Sequence, residues 1–435
     1  MFNVFLLSEC NLHCEYCFAD DIMGRSVEKR GQKDETTQII SLATYNQILD
    51  FLETSNIATV SLIGGEPTLH PNFFPILNRS LERGFTVSIK SNALWRENIQ
   101  QGLRNLPVEG IHFLLNINHP SSLGTQRWKR VVKNAQGLKG RNLDFQLNIS
   151  RRHFDYNYIL ELADKAQPQK IVWSLSHLVK GQGSETLAYP LKIRERYSTR
   201  LVSFLLEAGK RGIKTLGVHG ITPCMFSKSD YQKIMAGGGN LESTCNPVFD
   251  FLPDLSVLFC FPMSGFWDKK YLYDFENLQA LNMDFQEKLV FIRSDLYPLA
   301  ECSTCDHARS ETCHGGCLAQ RIEKYSTSES TSYFDHVPFM TKRFQVEKRI
   351  PKEASTKATY FLLDSQIGSH HEIDKSLYLL LKSANGQETF HELYHKYFPQ
   401  LAKKQALEPV FKDMIGQLIK RGVLSLMPSP ITTSS

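Results

Sequence analysis

Short apolar runs alternate with longer amphipathic stretches along the first half of the chain. Strands that alternate with helices form right-handed βαβ units around a parallel sheet. About six such units fit before residue 220, so the pattern predicts an α/β fold with a partial (β/α)6 TIM-type barrel over residues 1–220. The predicted strands are Asn3–Leu7, Thr59–Ile63, Thr86–Lys90, Gly110–Asn116, Phe145–Ile149 and Ile171–Leu175.

The pattern changes twice after residue 220. The run Ala236-Gly-Gly-Gly-Asn240 precedes an irregular, cysteine-rich stretch in which metal ligation can replace a hydrophobic core. We therefore predict a second domain over residues 221–345 and a third over residues 346–435. The third domain is predicted to contain a strand and three helices, one of which opens on the capping box Thr389-Phe-His-Glu392. The last helix places its apolar residues on one face: Val410, Phe411, Met414, Ile415, Leu418 and Ile419.

Composition and charge narrow the class of protein. Of the 435 residues, 42% are hydrophobic and 22% are charged, which is typical of a globular protein. The net charge of +5 is too small and too dispersed to indicate nucleic-acid binding. The first residues, MFNVFLLSEC, lack the basic segment of a signal peptide, and no apolar stretch is long enough to cross a membrane, so we expect a cytoplasmic protein. In a reducing compartment, the ten cysteines are expected to be metal ligands or catalytic groups rather than disulfides.

The first cysteine cluster, Cys10, Cys14 and Cys17, follows a predicted strand directly and has the spacing CxxxCxxC. Three thiolates on one tight loop can hold three irons of a [4Fe–4S] cube and leave the fourth iron without a protein ligand. The amino and carboxylate groups of S-adenosylmethionine can chelate that open iron. A zinc site is the alternative, with His13 as the fourth ligand, and the local spacing alone leaves it open.

The second predicted strand of the barrel runs into Gly64-Gly65-Glu66-Pro67. At the carboxyl edge of a parallel sheet, glycines allow the backbone to approach a ligand closely. The carbonyl groups of the turn and Glu66 would accept hydrogen bonds from an ammonium group. Such a turn, one βα unit after a CxxxCxxC loop, favours a cofactor site over zinc.

Together these motifs resemble the radical S-adenosylmethionine superfamily. The resemblance implies a partial barrel that holds the cluster and S-adenosylmethionine at its carboxyl mouth, with Tyr16 against the adenine. Reduction of the cluster would cleave S-adenosylmethionine to methionine and a 5′-deoxyadenosyl radical. Other residues expected at the mouth are Ser91, Asn92, Asn116, Asn118, Ser150, Arg151 and Arg152. An arginine there could pair with the methionine carboxylate.

The second cysteine region is similar to the SPASM extension, which holds auxiliary iron–sulfur clusters. The resemblance implies one cluster on Cys245, Cys260 and Cys317, with Cys224 as a candidate fourth ligand. It implies a second cluster on Cys302, Cys305 and Cys313, whose last ligand would be a residue such as Asp335 or His336. The pattern departs from the family at Leu255, where glycine is usual, in the long gap after Cys305, and in the absence of a closing cysteine. Two zinc sites are the alternative. An auxiliary cluster could accept an electron, bind substrate or serve the structure.

The third predicted domain is similar in its order of elements to the winged-helix peptide-recognition domains of ribosomal peptide pathways, the type found in pyrroloquinoline quinone biosynthesis. Those domains bind a leader peptide by β-augmentation. A DNA-binding winged helix is the competing interpretation, but Lys403-Lys404 and Lys420-Arg421 do not make a basic recognition helix.

These resemblances imply an enzyme that modifies a ribosomally synthesised precursor peptide. Hydrogen abstraction from an unactivated carbon would lead to a crosslink, whether a cyclophane, another carbon–carbon bond or a thioether. Its partners would be the precursor peptide and an electron donor such as flavodoxin or ferredoxin. The alternatives are a maturase of the sulfatase-activating type, which oxidises a serine or cysteine side chain, and a zinc-binding regulatory protein. The sequence does not identify a general acid or base.

Overall fold

The chain folds into two compact units, residues 1–283 and residues 284–435. The fold is taken from a computed structural model of the full chain. The structure describes residues 2–17, 38–151, 153–176, 198–246, 248–263, 269–285, 302, 305–310, 312–318, 336–340, 344–349, 358–365, 368–399, 415–416, 418–419 and 423–428.

The described part of the first unit contains eight parallel strands, hydrogen-bonded to one another in chain order. They are β1 (Asn3–Phe5), β2 (Thr59–Ile63), β3 (Thr86–Ser91), β4 (Ile111–Asn116), β5 (Asn142–Ile149), β6 (Ile171–Leu175), β7 (Thr215–Gly217) and β8 (Gly239–Leu241). Each pairs in parallel with the next, so the predicted α/β fold with a partial TIM-type barrel is confirmed. All six predicted strands are present, and β7 and β8 extend the sheet beyond them.

Helices separate the strands. They are α1 (Leu42–Thr54), α2 (Phe73–Glu82), α3 (Glu97–Asn105), α4 (Pro120–Leu123), α5 (Thr125–Gln136), α6 (Asn157–Ala166), α7 (Ser198–Lys210) and α8 (Lys228–Ala236). Ser41 caps α1, because its hydroxyl accepts a hydrogen bond from the Thr44 N–H at 3.0 Å. The helix then buries Tyr45, Ile48 and Leu52, which recur at the spacing of one helical face.

The two faces of the sheet differ in chemistry. Side chains alternate between the faces of a strand, and the buried residues of one face are large and apolar, as at Leu62, Phe113 and Phe145. The opposite face carries polar side chains, among them Asn3, Ser61, Ser88, Lys90, His112 and Asp144. The interior of the partial barrel is therefore largely polar, except around Phe5, and most of the hydrophobic core lies on the other face of the sheet.

A hairpin extends the sheet on the far side of β1. It consists of β9 (Phe249–Phe251) and β10 (Ser256–Phe259), and β11 (Lys270–Tyr271) pairs with β10. Strand β9 is parallel to β1, with Asn3 opposite Asp250. Cys245 precedes β9 and Cys260 follows the antiparallel β10, so both cysteines flank the amino end of β9. They lie at the opposite end of β1 from the CxxxCxxC loop.

Leu255, at which the sequence departs from the glycine of the SPASM pattern, lies in the turn of this hairpin. The Leu255 N–H donates to Leu252 O at 2.9 Å and the Leu252 N–H donates to Ser256 O at 2.9 Å. Leu255 itself has φ +64°, a left-handed conformation in which glycine is favoured at this point of a hairpin. The position therefore demands the same backbone conformation that the family pattern provides with glycine.

The second unit is described in part. Strands β12 (His336–Met340) and β16 (Leu424–Pro428) form an antiparallel pair, and β13 (Phe344–Arg349), β14 (Thr359–Asp364) and β15 (Ser369–Ile373) form an antiparallel sheet. Its helices include α9 (Asp306–Arg309), α10 (Lys375–Ser383) and α11 (Phe390–Tyr397).

The capping box that was predicted in this unit is present. The Thr389 hydroxyl accepts from the Glu392 N–H at 3.2 Å, while the Glu392 carboxylate accepts from the Thr389 N–H at 2.6 Å. Of the predicted apolar face near the end of the chain, Val410, Phe411 and Met414 lie outside the described residues. None of the helices in the described part of the chain is long and apolar enough to cross a membrane.

The strained turn makes a stability prediction. Leu255→Gly should unfold at a higher temperature than Leu255→Val, with a difference in Tm of at least about 2 °C, because a β-branched residue is disfavoured at positive φ and glycine is not. Differential scanning calorimetry of the cluster-free protein measures this difference. Equal Tm values for the two variants would contradict a left-handed Leu255.

Candidate functional site

The CxxxCxxC loop leaves the carboxyl end of β1 and runs beside the turn that follows β2. Two backbone hydrogen bonds join them, from the Gly65 N–H to Leu7 O at 2.7 Å and from the Glu66 N–H to Glu9 O at 2.8 Å. Within the loop, the Cys17 N–H donates to Cys14 O at 3.1 Å. The structure thus brings the two predicted motifs together.

The two glycines of the turn are required by this contact. A Cβ on Gly65 would lie closer than 3.0 Å to the carbonyl groups of Ser8 and Glu9, and a Cβ on Gly64 would lie 2.7 Å from Leu7 O. Both clashes are with backbone atoms, which cannot rotate away. The glycines therefore let the cysteine loop approach the turn; that they also admit a ligand stays a prediction.

Glu66 is buried and is held by donors of the chain itself. One carboxylate oxygen accepts from the Thr68 hydroxyl at 2.6 Å and the Ser91 hydroxyl at 2.7 Å, and the other accepts from the Asn92 N–H at 2.9 Å. Burial raises the pKa of Glu66, and these hydrogen bonds oppose that rise. The carboxylate thereby ties the turn to the carboxyl end of β3. A hydrogen bond from Glu66 to a cofactor ammonium group stays a prediction.

Thr68 was missed by the sequence analysis, although a signal was present. Glu66 caps the short 3-10 helix Pro67–Leu69, with proline at its first position. An acidic residue followed by proline and threonine is typical of such a start.

Asn92 reaches from β3 to the cysteine loop. Its amide nitrogen donates to Asn11 Oδ1 at 2.7 Å and lies 3.8 Å from Cys10 Sγ. The Leu12 N–H also donates to Cys10 Sγ, at 3.4 Å. Hydrogen-bond donors directed at a sulfur stabilise a thiolate and set the potential of a cluster that it ligates.

Tyr16 joins the loop to the end of β4. Its hydroxyl donates to Asn118 Oδ1, and the Asn116 amide lies 3.4 Å from the same hydroxyl oxygen. Burial raises the pKa of Tyr16 well above its usual range, so the hydroxyl stays protonated. The Asn118 amide nitrogen is buried and has no hydrogen-bond partner among the described residues, which leaves one donor at this edge of the barrel.

A polar network that the sequence analysis missed continues inward from Asn116. Asn148 donates to Asn116 Oδ1 at 2.9 Å and accepts from the Ser174 hydroxyl at 2.7 Å. Gln146 lies 3.2 Å from the same hydroxyl. The signal was the alternation of amides with apolar residues in β5, Phe145-Gln-Leu-Asn-Ile149.

Ser150 and Arg151 follow β5 and contact Glu15 within the cysteine loop. The Arg151 guanidinium lies 2.6 Å from the Glu15 carboxylate, and the Ser150 hydroxyl donates to it at 3.1 Å. The hydrogen bond from Arg151 lowers the pKa of Glu15. Pairing of Arg151 with a cofactor carboxylate stays a prediction, and Arg152 lies outside the described residues.

The distal cysteines divide between the two units. In the first unit, Cys245 is buried, Cys224 is exposed, and Cys260 has φ +72°. A left-handed cysteine is strained, and such strain is concentrated at functional sites. In the second unit, the Cys305 N–H donates to Cys302 O at 3.2 Å and the Cys313 N–H donates to His307 O at 3.0 Å. Cys317 is buried, Asp335 lies outside the described residues, and His336 begins β12.

The donor set of the first loop fits a [4Fe–4S] cluster. Cys10, Cys14 and Cys17 share one short loop, and two N–H groups approach the first of them. Among the described residues, no group of three or more histidine, cysteine or acidic side chains is placed to hold a single metal ion. A [4Fe–4S] cube binds each thiolate through a different iron, so its ligands do not meet at one ion.

The sequence model of the Radical SAM superfamily matches residues 4–185, a segment that contains both motifs and strands β1 to β6. This segment is a radical SAM domain. The family implies a [4Fe–4S] cluster and S-adenosylmethionine, so the predicted resemblance of the N-terminal part is confirmed.

Curated relatives match short parts of the chain. An S-adenosylmethionine-dependent nucleotide dehydratase of Selenomonas ruminantium is 31% identical over 91 residues, which are 21% of this chain and 28% of the relative. A tungsten-containing aldehyde ferredoxin oxidoreductase cofactor-modifying protein of Pyrococcus furiosus is 29% identical over 115 residues, 26% of this chain and 29% of the relative. The chain thus spans less than a third of the length of either relative.

Solved structures share the fold over a longer part of the chain. Streptococcus suis SuiB bound to S-adenosylmethionine has a TM-score of 0.51 and 15% identity, with 74% of this chain and 73% of that chain covered. SuiB bound to its precursor peptide SuiA gives the same TM-score, with 72% of that chain covered. Native anSMEcpe with bound AdoMet has a TM-score of 0.50 and 17% identity, with 75% and 95% covered.

The contact between the turn and the loop makes a testable prediction. Gly65→Ala should lower the rate of S-adenosylmethionine cleavage by at least about tenfold, because its Cβ displaces the cysteine loop from the turn. Anaerobic assay of 5′-deoxyadenosine measures the rate. The control is Gly416→Ala, since a Cβ there meets no atom of the described residues within 4 Å, and it should retain the normal rate. Equal rates in both variants would show that the loop tolerates the displacement.

Proposed function

We propose that this chain modifies a ribosomally synthesised precursor peptide, by abstracting a hydrogen from an unactivated carbon and forming a crosslink. The observation that carries the proposal is the position of the cysteine hairpin. Strand β9, which lies between Cys245 and Cys260, pairs directly with β1, the strand that leads into the radical SAM cysteines. A second set of thiols is thus built into the same sheet as the radical site.

The cluster on Cys10, Cys14 and Cys17 and S-adenosylmethionine, when bound, supply one-electron cleavage of the sulfonium and a radical that abstracts hydrogen. The chain's own residues prepare the site. Leu12 and Asn92 direct N–H groups at Cys10 Sγ and stabilise its negative charge. Glu66 fixes the end of β3 beside the loop.

Formation of a crosslink removes one further electron from the substrate radical. We assign its acceptor to an auxiliary cluster on Cys245 and Cys260 with Cys317, and Cys224 as the candidate fourth ligand. A buried apolar group supports this assignment: Phe5 packs with Leu252 and Phe261, and Cys17 lies against them. Phe261 directly follows Cys260, so apolar side chains pack between this cysteine and the radical SAM loop. A second cluster on Cys302, Cys305 and Cys313 belongs to the same proposal.

The second unit is proposed to bind the leader segment of the peptide. Within the described residues, β13 and β15 each pair on one side only, with β14 between them. The other side of such a strand presents backbone N–H and carbonyl groups, to which an extended peptide can add as a strand. SuiB, which shares the fold, has been crystallised with its precursor peptide. The proposal has three further parts. The domain boundaries lie at residues 220 and 345, the electron donor is a protein such as flavodoxin or ferredoxin, and the protein is located in the cytoplasm.

Oxidation of a serine or cysteine side chain on a protein is the alternative reaction. It would use the same cysteine sites, and anSMEcpe also shares the fold. Fragmentation of the product separates the two reactions. A crosslink and the oxidation of a serine to an aldehyde both remove two hydrogens, but a crosslink joins two residues and a side-chain oxidation alters one.

The test is anaerobic incubation of the reconstituted protein with reductant, S-adenosylmethionine and a precursor peptide encoded beside its gene, read by mass spectrometry. The matched variant replaces Cys10, Cys14 and Cys17 with alanine. It should form no 5′-deoxyadenosine and no crosslink, since it lacks the thiolates of the radical cluster, but it should retain iron on the distal cysteines.

Two results would count against the proposal. Normal 5′-deoxyadenosine formation by the triple variant would place the chemistry elsewhere. Loss of essentially all iron from a folded triple variant would remove the auxiliary clusters. Lys210→Ala is the control, because this exposed side chain on α7 lies outside both cysteine regions and its replacement should leave S-adenosylmethionine cleavage, iron content and peptide modification intact.

Truncation tests the role of the second unit. Deleting residues from about position 350 should leave S-adenosylmethionine cleavage largely intact and lower peptide modification sharply. The reason is that a bound leader holds the core peptide at an effective concentration in roughly the millimolar range. Raising the peptide concentration should partly restore modification. A folded truncated protein that modifies dilute peptide at the normal rate would refute leader binding by this unit.

A further inference from the structure

Asp250 is buried in the polar interior of the sheet, Lys90 is half-buried there, and an asparagine bridges the two side chains. The Lys90 ammonium donates to Asn3 Oδ1 at 2.8 Å, and the Asn3 amide nitrogen donates to Asp250 Oδ1 at 2.6 Å. The carboxamide thus turns its oxygen toward the cation and its N–H toward the carboxylate. The bridge connects three strands: β3, β1 and β9.

Because Lys90 and Asp250 are not in direct contact, the protonation state of Asp250 depends on other charges nearby. A buried carboxylate without direct contact to the neighbouring ammonium lacks the full attraction that would offset its loss of hydration. Burial raises the pKa of Asp250 to about 7 and lowers the pKa of Lys90. Lys90 is the charged group that acts on Asp250, while Ser61 on β2 and Leu258 on β10 occupy the adjacent register positions.

A row of polar side chains leads from this pair toward solvent. The Ser88 hydroxyl lies 3.0 Å from His112 Nδ1, and His112 Nε2 lies 3.0 Å from Asp144 Oδ2. The same carboxylate oxygen lies 2.8 Å from Lys170, whose side chain is 35% exposed. Against the raising effect of burial, the hydrogen bonds from His112 and Lys170 lower the pKa of Asp144. Glu242 is the other acidic group that interacts with Lys170.

Ser61 fills the position between the row and the pair. By strand register it lies opposite Asn3 on one side and Ser88 on the other. Its hydroxyl is buried and has no hydrogen-bond partner among the described residues, and the same holds for Asp144 Oδ1. Buried hydroxyls of this kind ordinarily bind internal water. Because a hydroxyl and an imidazole can both donate and accept, such a row can pass a proton.

The pair also lies close to the radical SAM cysteines. Lys90 is two residues from Asn92, whose amide is directed at Cys10 Sγ. At ~3.3 Å per residue, about 7 Å of strand separates the two residues. In a protein interior, a charge added at the cluster acts strongly on nearby ionisable groups, because little water screens it.

We propose that the Lys90–Asn3–Asp250 group takes up one proton from solvent, through the row Lys170–Asp144–His112–Ser88–Ser61, when the radical SAM cluster is reduced by one electron. The electron comes from an external one-electron donor, and the proton converts the Asp250 carboxylate to the acid. The net charge of the interior is then unchanged by reduction. The proposal rests on the radical SAM cluster and the strands β1, β3 and β9, and it is independent of the peptide substrate.

The test uses the full-length reconstituted protein without peptide or S-adenosylmethionine. The midpoint potential of the radical SAM cluster is measured by EPR-monitored titration from about pH 6 to about pH 9. The relevant signal is the one absent from the triple cysteine variant. Because reduction takes up a proton, the potential should be level below about pH 7 and fall above it. The fall should not exceed about 59 mV per pH unit, the value for one proton and one electron.

Asp250→Asn should abolish the fall, since the carboxamide has nearly the same shape and does not titrate. The control is Asp254→Asn on the same hairpin, whose carboxylate is exposed and paired with Lys269, and it should keep the wild-type profile. A level wild-type profile, or the same fall in Asp250→Asn, would overturn the proposal.

Two further measurements keep the test decisive if Asp250→Asn fails to fold. Lys90→Met should shift the onset of the fall to higher pH, because loss of the ammonium raises the pKa of Asp250. The infrared difference spectrum of the wild-type protein should gain a protonated carboxylic acid band on reduction, and this band should shift in D2O. An unchanged onset in Lys90→Met, or the absence of that band, would refute proton uptake by this group.

Discussion

The close approach of two backbone segments, Leu7 to Glu9 and Gly64 to Glu66, is the constraint on which the site depends. Backbone hydrogen bonds set the separation, and neither residue 64 nor residue 65 can carry a side chain at that distance. The position of the cysteine loop is therefore set by its hydrogen bonds to the sheet, and not only by the metal cluster that its cysteines would bind. Glu66 then transmits the position of the turn to β3 through buried hydrogen bonds, so three neighbouring strands define one edge of the site.

The distribution of polar residues in the barrel follows from the same sheet. Alternation along each strand sends apolar residues to the helices and polar residues to the interior, where they must satisfy one another. Amides gather at the carboxyl end, around Asn116 and Asn148, while ionisable groups gather nearer the amino end, around Asp144 and Asp250. Apart from Glu66 and the Glu15–Arg151 pair, neutral polar side chains thus line the carboxyl end, and most of the buried titratable groups lie nearer the amino end.

Much of this fold was predictable because its signals are local. The strands β2 to β6 have apolar runs with clear boundaries, and the two motifs each occupy a few consecutive residues. The capping box at Thr389 is equally local, and the structure confirms it. Leu255 adopts a left-handed conformation at the position where the SPASM pattern has glycine.

What the sequence did not reveal depends on residues far apart in the chain. Asn3 and Asp250 are 247 residues apart, and the local sequence around either residue does not predict its contact with the other. The pairing of Arg151 with Glu15 is of the same kind, because a spacing pattern shows that an arginine is near the mouth but not which carboxylate it meets. Strand β9 has three residues, too few for any periodicity to identify it.

The pairing of β1 with β9 has a consequence for the order in which the protein is made. Strand β1 is synthesised before both of its neighbours in the sheet, and one of them, β9, follows about 250 residues later. Until then, one side of β1 presents unpaired N–H and carbonyl groups to solvent. Closing so long a loop is slow, and the nascent chain must keep this edge from other strands while its cysteines are still exposed.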